Sequence, residues 1–110
     1  MEWEKLIDIG QETLERGAVF RTPAVWPYEE YVDFMVMEDP ASESGFSLWV
    51  VSGYKSGLRL VCLPVESKAK VESGLEVAWL LENWKIWIYP ESSPDEVLVR
   101  IHGLSAFSGR

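Results

Sequence analysis

The 110-residue chain predicts an α+β fold: a mostly antiparallel sheet of about five or six strands, with an N-terminal helix and a second short helix packed on it. Three observations lead there. Short apolar runs rich in β-branched and aromatic residues recur between glycine and proline turn signals. Two segments show helical rather than alternating spacing of apolar residues. The connections between the extended runs are short, which favours antiparallel neighbours.

The N-terminal segment Glu2–Arg16 reads as a helix. Trp3, Leu6, Ile7, Gly10 and Leu14 would share one face, with Gly10 allowing close approach to a sheet. Glu2 and Glu4 in the first turn and Arg16 in the last suit the helix dipole. Gly17 suits the residue just past the helix end. Ala18–Thr22 is a short strand stopped by Pro23. Pro23 and Pro27 then bracket a loop holding Trp26 and Tyr28, with Trp26 expected to pack beneath it.

Glu30–Glu38 is a strand. Val32, Phe34 and Val36 point one way, and Tyr31, Asp33, Met35 and Met37 the other. Both faces are mostly apolar, so a central strand covered on both sides is expected. Pro40–Gly45 is a turn, Phe46–Ser52 the returning strand, and Gly53–Gly57 a second tight turn with Tyr54 and Lys55 at its tip. Leu58–Leu63 is a further strand.

Pro64–Glu72 is polar and carries no clear pattern. Ser73 and Glu76 have capping-box spacing and open an apolar run, Leu75 and Val77–Leu81, which reads as a short buried helix ending near Asn83. Trp84–Tyr89 is aromatic and β-branched, and so predicts a strand. Glu96–Ile101 is the last strand, before a tail at Gly103–Arg110. No repeat or linker divides the chain, and residues 1–110 read as one domain.

Composition narrows the function. The net charge is −8 and is concentrated in the first half. From Thr22 to Tyr54 there is no lysine or arginine, while Glu29, Glu30, Asp33, Glu38, Asp39 and Glu43 all lie within it, with no basic neighbour in sequence to neutralise them. Such a field repels phosphate backbones and anionic bilayers, so neither a nucleic acid nor a membrane is an expected partner. It favours a basic protein partner, although acidity that merely keeps the chain soluble explains it equally well. The acidic N-terminus is unlike a secretory signal, and a cytoplasmic location is expected.

Catalytic signatures are missing. His102 is the one histidine and Cys62 the one thiol, with no nucleophile motif around either; each has an ordinary structural reading. No cluster has metal-ligand spacing, and the Glu29–Glu30 and Glu38–Asp39 doublets diverge in extended chain, so no metal or cofactor is expected. A non-enzymatic chain follows. A small carboxylate-dependent enzyme would require Glu30, Glu38 or Glu82 to converge in a deep pocket. A homo-oligomeric scaffold or adaptor would turn the six tryptophans outward as a self-association patch.

Four stretches resemble a known family. They are Gly17–Tyr31 (GAVFRTPAVWPYEEY), Phe34–Pro40 (FMVMEDP), Gly45–Lys55 (GFSLWVVSGYK) and Asn83–Pro90 (NWKIWIYP). Together they resemble the immunity protein 45 family of bacterial polymorphic toxin systems. The resemblance implies a small cytoplasmic antidote that binds the toxin domain of a cognate secreted effector, and it assigns no toxin-contacting residues. Many such toxins are nucleases with basic grooves, which an acidic partner would suit. From the residues themselves, the toxin-binding candidates are Tyr28, Glu29, Glu30 and Asp33 at the start of the first long strand, Glu38, Asp39 and Glu43 at the turn, and Tyr54 at the far end. The Tyr28–Asp33 cluster is the first choice.

Overall fold

The computed structural model describes residues 3–71 and 73–101. His102 and the tail Gly103–Arg110 lie outside the described residues, as do Glu2 at the start of the expected first helix and Glu72. In chain order the elements are β1 (Glu4–Lys5), a 3₁₀ turn (Leu6–Asp8), β2 (Thr13–Leu14), β3 (Val19–Pro23), β4 (Tyr31–Glu38), β5 (Phe46–Val50), β6 (Arg59–Cys62), a 3₁₀ turn (Val65–Ser67), β7 (Leu75–Glu76) and helix α1 (Val77–Asn83). A π-helical turn (Trp84–Ile88), a 3₁₀ turn (Pro94–Glu96) and β8 (Leu98–Arg100) follow. Six strands form one antiparallel sheet in the order β1-β8-β3-β4-β5-β6, and β2 pairs with β7 in a separate two-stranded ribbon.

The expected antiparallel sheet and short second helix are therefore present, and β4 lies inside the sheet, flanked by β3 and β5. Its register sets the core. Phe34 faces Phe20 on β3 and Val50 on β5, and Val36 faces Leu48. These side chains, with Val32, Phe46 and Val99, are buried against Val77, Leu80, Trp84 and Ile88 of the helical segment. The alternation read from the sequence places this face correctly because a period of two is a local property of extended chain.

The N-terminal helix is not formed. Glu4 and Lys5 instead pair with Val99 and Leu98, the Leu6 N–H donates to Val97 O at 2.9 Å, and Thr13 and Leu14 pair with Glu76 and Leu75. Gly10 adopts φ +73°, which a helix cannot use, and Gly17 adopts φ +91° in the turn before β3. Leu6 and Leu14 are buried as the helical face required, yet Ile7 is 46% exposed. A helix of this length is marginal alone. Here the backbone groups find partners on β7 and β8, and the two leucines reach the core without it.

The second correction concerns Trp84–Tyr89. Its β-rich composition is overridden, and the segment extends α1 by a wider turn in which the Tyr89 N–H donates to Trp84 O at 2.9 Å. Trp84 and Ile88, four residues apart, are buried, while Lys85, Ile86 and Trp87 face out. An alternating strand would have buried Ile86 with them. The helical segment is thus twelve residues long and sits on the core face.

The opposite face of β4 is only partly covered, against the expectation of a strand covered on both sides. Tyr31 and Met37 are exposed, while Asp33 is buried. Long side chains of the sheet itself roof this face. The Arg21 and Arg100 guanidinium carbons lie 4.4 and 4.9 Å from the Trp3 ring centre, and that of Arg59 lies 5.6 Å from Trp49. Among the described residues no helix is long and apolar enough to cross a membrane.

Candidate functional site

The start of β4 and the end of β5 meet at one end of the sheet, and two loops rise there. The first, between β3 and β4, closes through Ala24 N–H to Glu30 O at 2.8 Å and Tyr28 N–H to Val25 O at 2.9 Å. Tyr28 bolts it down. Its ring meets Tyr89 and Phe34 edge-on at 5.9 and 6.4 Å, and burial, then the neighbouring Tyr89, raises its phenol above the usual tyrosine range. The Tyr89 hydroxyl accepts the Val25 N–H at 3.0 Å. The second loop leaves β5 with the Val51 N–H on Asp33 O at 2.9 Å and turns back as Gly57 N–H donates to Val50 O at 2.8 Å. The Asp33 N–H donates to the Ser52 hydroxyl at 2.9 Å, which ties the second loop to β4.

The result is an open groove lined by Arg21, Glu29, Glu30, Tyr31, Asp33 and Ser52. A narrower cleft beside it reaches Pro27, Gly53, Tyr54 and Lys55. Tyr54 therefore belongs with the Tyr28–Asp33 cluster. Gly53–Gly57 forms the expected turn, with Tyr54 83% exposed and Lys55 half-buried.

The acids differ sharply in what they are free to do. Asp33 takes a two-pronged ion pair from Arg21, with Nε to Oδ1 at 2.8 Å and Nη2 to Oδ2 at 2.9 Å. Asp39 is also buried and accepts from the Ser47 hydroxyl and Arg59 Nη1, both at 2.8 Å, and from the Ala41 N–H at 3.0 Å. The Ser47 bond first, then Arg59 and Ala41, hold its carboxyl below the ordinary range. Glu38 lies 3.7 Å from Arg16, with both side chains largely exposed. Arginines outside the base-free stretch thus neutralise two of its six acids fully. Among the described residues Glu29, Glu30 and Glu43 have no ion-pair partner.

Glu38, Asp39 and Glu43 lie at the other end of the β4–β5 hairpin, where Glu38 faces Phe46. Asp39 there is a structural anchor for the turn, together with the buried Ser42, whose hydroxyl donates to Leu63 O at 2.8 Å. Glu30 immediately precedes the eight-residue β4 and Glu38 is its last residue, so they stand about 26 Å apart by the rise per residue. Together with Glu82 they are exposed, so the convergence in a deep pocket that a carboxylate enzyme requires is not seen for these three. Among the described residues no group of three or more His, Cys, Asp or Glu could hold a metal ion. Cys62 is half-buried on the edge strand β6.

One residue of this end was misplaced by the sequence reading. Trp26, expected beneath the loop, is 87% exposed. Tyr28, partly buried, packs against the core instead. Val25, Trp26, Tyr31, Val51, Tyr54 and Leu58 are all exposed around this end. Large apolar groups in water, grouped beside unpaired carboxylates, have the composition of a protein contact surface.

No curated protein sequence and no solved structure matches the chain. One family model does, over residues 6–99, from the turn after β1 into β8 and through both loops of the aromatic, acidic end. That span places the chain in the immunity protein 45 family and makes it an immunity protein.

Proposed function

We propose that the chain neutralises the toxin domain of a cognate bacterial effector in the cytoplasm by seating the Trp26–Glu30, Tyr31 and Tyr54 end of the sheet against it. The observation that carries this reading is coincidence in space: the two unpaired carboxylates Glu29 and Glu30 stand among exposed aromatic rings. Tryptophan and tyrosine supply most of the binding energy at such surfaces, and unpaired acids steer a basic partner and set its orientation. A nuclease with a basic substrate groove is the toxin type this surface fits best. Asp33 supports the groove from below rather than touching the partner, because Arg21 already occupies both its oxygens.

Co-expression with the C-terminal domain of the effector encoded beside the gene tests the reading. Glu29→Lys with Glu30→Lys abolishes protection, and Trp26→Ala weakens binding by roughly tenfold or more. Glu43→Lys, at the opposite end of the hairpin, leaves protection intact. Full rescue by the double charge reversal and by Trp26→Ala would show that the contact surface lies elsewhere. A toxin whose contact face is neutral or acidic would refute the charge complementarity alone.

A further inference from the structure

We infer that Gly53 is a positioning residue of the recognition surface, placed to seat the Glu29 carboxylate; the inference rests on the reading just proposed. Gly53 adopts φ +67°, which by itself asks for glycine. A second fact is independent of the turn. A Cβ at residue 53 would stand 2.6 Å from Glu29 Oε1 and 3.1 Å from its Cδ. The carboxylate therefore occupies the space a side chain would fill.

No described residue donates a hydrogen bond to the Glu29 carboxylate, and no described cation lies within 4 Å of it. Its place is set by shape, and its lone pairs stay free for an incoming donor. The seat lies in the cleft between Ser52, Tyr31 and Tyr54, at the lip of the groove. A glutamate already held there loses less rotamer freedom on binding than one moving in solvent. A side chain at residue 53 would push the flexible carboxylate aside, since the three atoms nearest its Cβ all belong to the end of the Glu29 side chain.

The neighbouring glycine of the same turn supplies the control. Gly57 also has a left-handed φ, +97°, but a Cβ there meets nothing within 4 Å. Both Gly53→Ala and Gly57→Ala carry a backbone cost, no smaller for Gly57, and only the first evicts Glu29. The binding partner for the test is the same effector C-terminal domain, made non-toxic by substitution, and affinity is read by calorimetry beside each variant's melting temperature.

Gly53→Ala weakens binding about as much as Glu29→Ala, on the order of tenfold, while Gly57→Ala stays within about twofold. In the Glu29→Ala background, Gly53→Ala has no further effect. Glu29→Asp, which keeps the charge but shortens its reach, also weakens binding and covers the case in which Gly53→Ala folds poorly. If Glu29→Ala weakens binding but Gly53→Ala and Glu29→Asp bind as the parent does, the inference falls and the surface stands. Full additivity of Gly53→Ala with Glu29→Ala also overturns it. If Glu29→Ala itself binds normally, the inference falls, and the surface falls with it only when Trp26→Ala and the double charge reversal at Glu29 and Glu30 also bind as the parent does.

Discussion

Trp84 carries the clearest test of how the core is held. It is fully buried, edge-on to Phe20 at 5.6 Å and tilted against Phe34 at 6.4 Å. Its indole N–H donates to the Ser92 hydroxyl at 3.1 Å, and the Thr22 hydroxyl donates to the same oxygen at 2.6 Å. This chain joins the π-helical turn, the loop after it and β3 through groups that water does not reach. Trp84→Phe keeps a ring in place but removes the five-membered part of the indole and its N–H. The lost apolar burial and the void left behind cost about 1–3 kcal/mol. The lost hydrogen bond adds about 1 kcal/mol, limited because Ser92 keeps Thr22. A total of about 2–4 kcal/mol leaves a folded protein within the usual stability range. Equilibrium urea unfolding followed by far-ultraviolet circular dichroism should show the midpoint falling by about 1–2 M. Trp26→Phe, at a site 87% exposed, should stay within about 0.5 kcal/mol of the parent. Because both groups meet at Ser92, Thr22→Val and Trp84→Phe should also combine non-additively, by about 0.5 kcal/mol or more. A Trp84→Phe midpoint unchanged from the parent, or a Trp26→Phe loss of equal size, would refute this account of the core.

Two further outcomes follow from single contacts. Asp39 is held below its ordinary range by Ser47, Arg59 and Ala41, so its contribution is present above its unfolded value of about 3.9 and is lost as pH falls towards the folded one. Melting curves of the parent and Asp39→Asn should therefore lie well apart near neutrality and converge below about pH 4; a constant gap across the titration would remove Asp39 from the stabilising groups. Gly74 has φ +137°, and a Cβ there would stand 2.5 Å from Leu14 O, a backbone atom that cannot step aside. Gly74→Ala should cost roughly 2 kcal/mol or more, against about 1 kcal/mol for Gly45→Ala, which opens on empty space. Equal losses in thermal unfolding would show that the β2–β7 ribbon is not closely packed.

The exposure of some candidate residues was legible in the sequence. Glu29, Glu30 and Tyr54 were chosen for their types and their places on loops, and each is exposed. What could not be read was who neutralises whom. Arg21 and Asp33 are twelve residues apart and come to 2.8 Å through strand register, while Arg59 on β6 and Asp39 just past β4 are twenty apart and meet at 2.8 Å only through the tertiary fold. The choice between Trp26 and Tyr28 for the buried place was likewise invisible, because both sit in one loop and both rings suit a core. Ser92 and Thr22 are seventy residues apart, and nothing local marks them as partners.

By itself, the sequence determined the long strands β3 to β6, the apolar stripe of Val32, Phe34 and Val36, the turns at Pro40–Gly45 and Gly53–Gly57, and the surplus of acid before Lys55. These follow from side-chain alternation, turn chemistry and charge, which act over a few residues. Tertiary structure alone decided that residues 4–14 would pair as strand pieces rather than coil into a helix, and that Trp84–Ile88 would prolong a helix rather than extend. In both segments the local preference is worth little per residue, and the hydrogen-bond partners and buried faces that outweigh it come from parts of the chain far away in sequence.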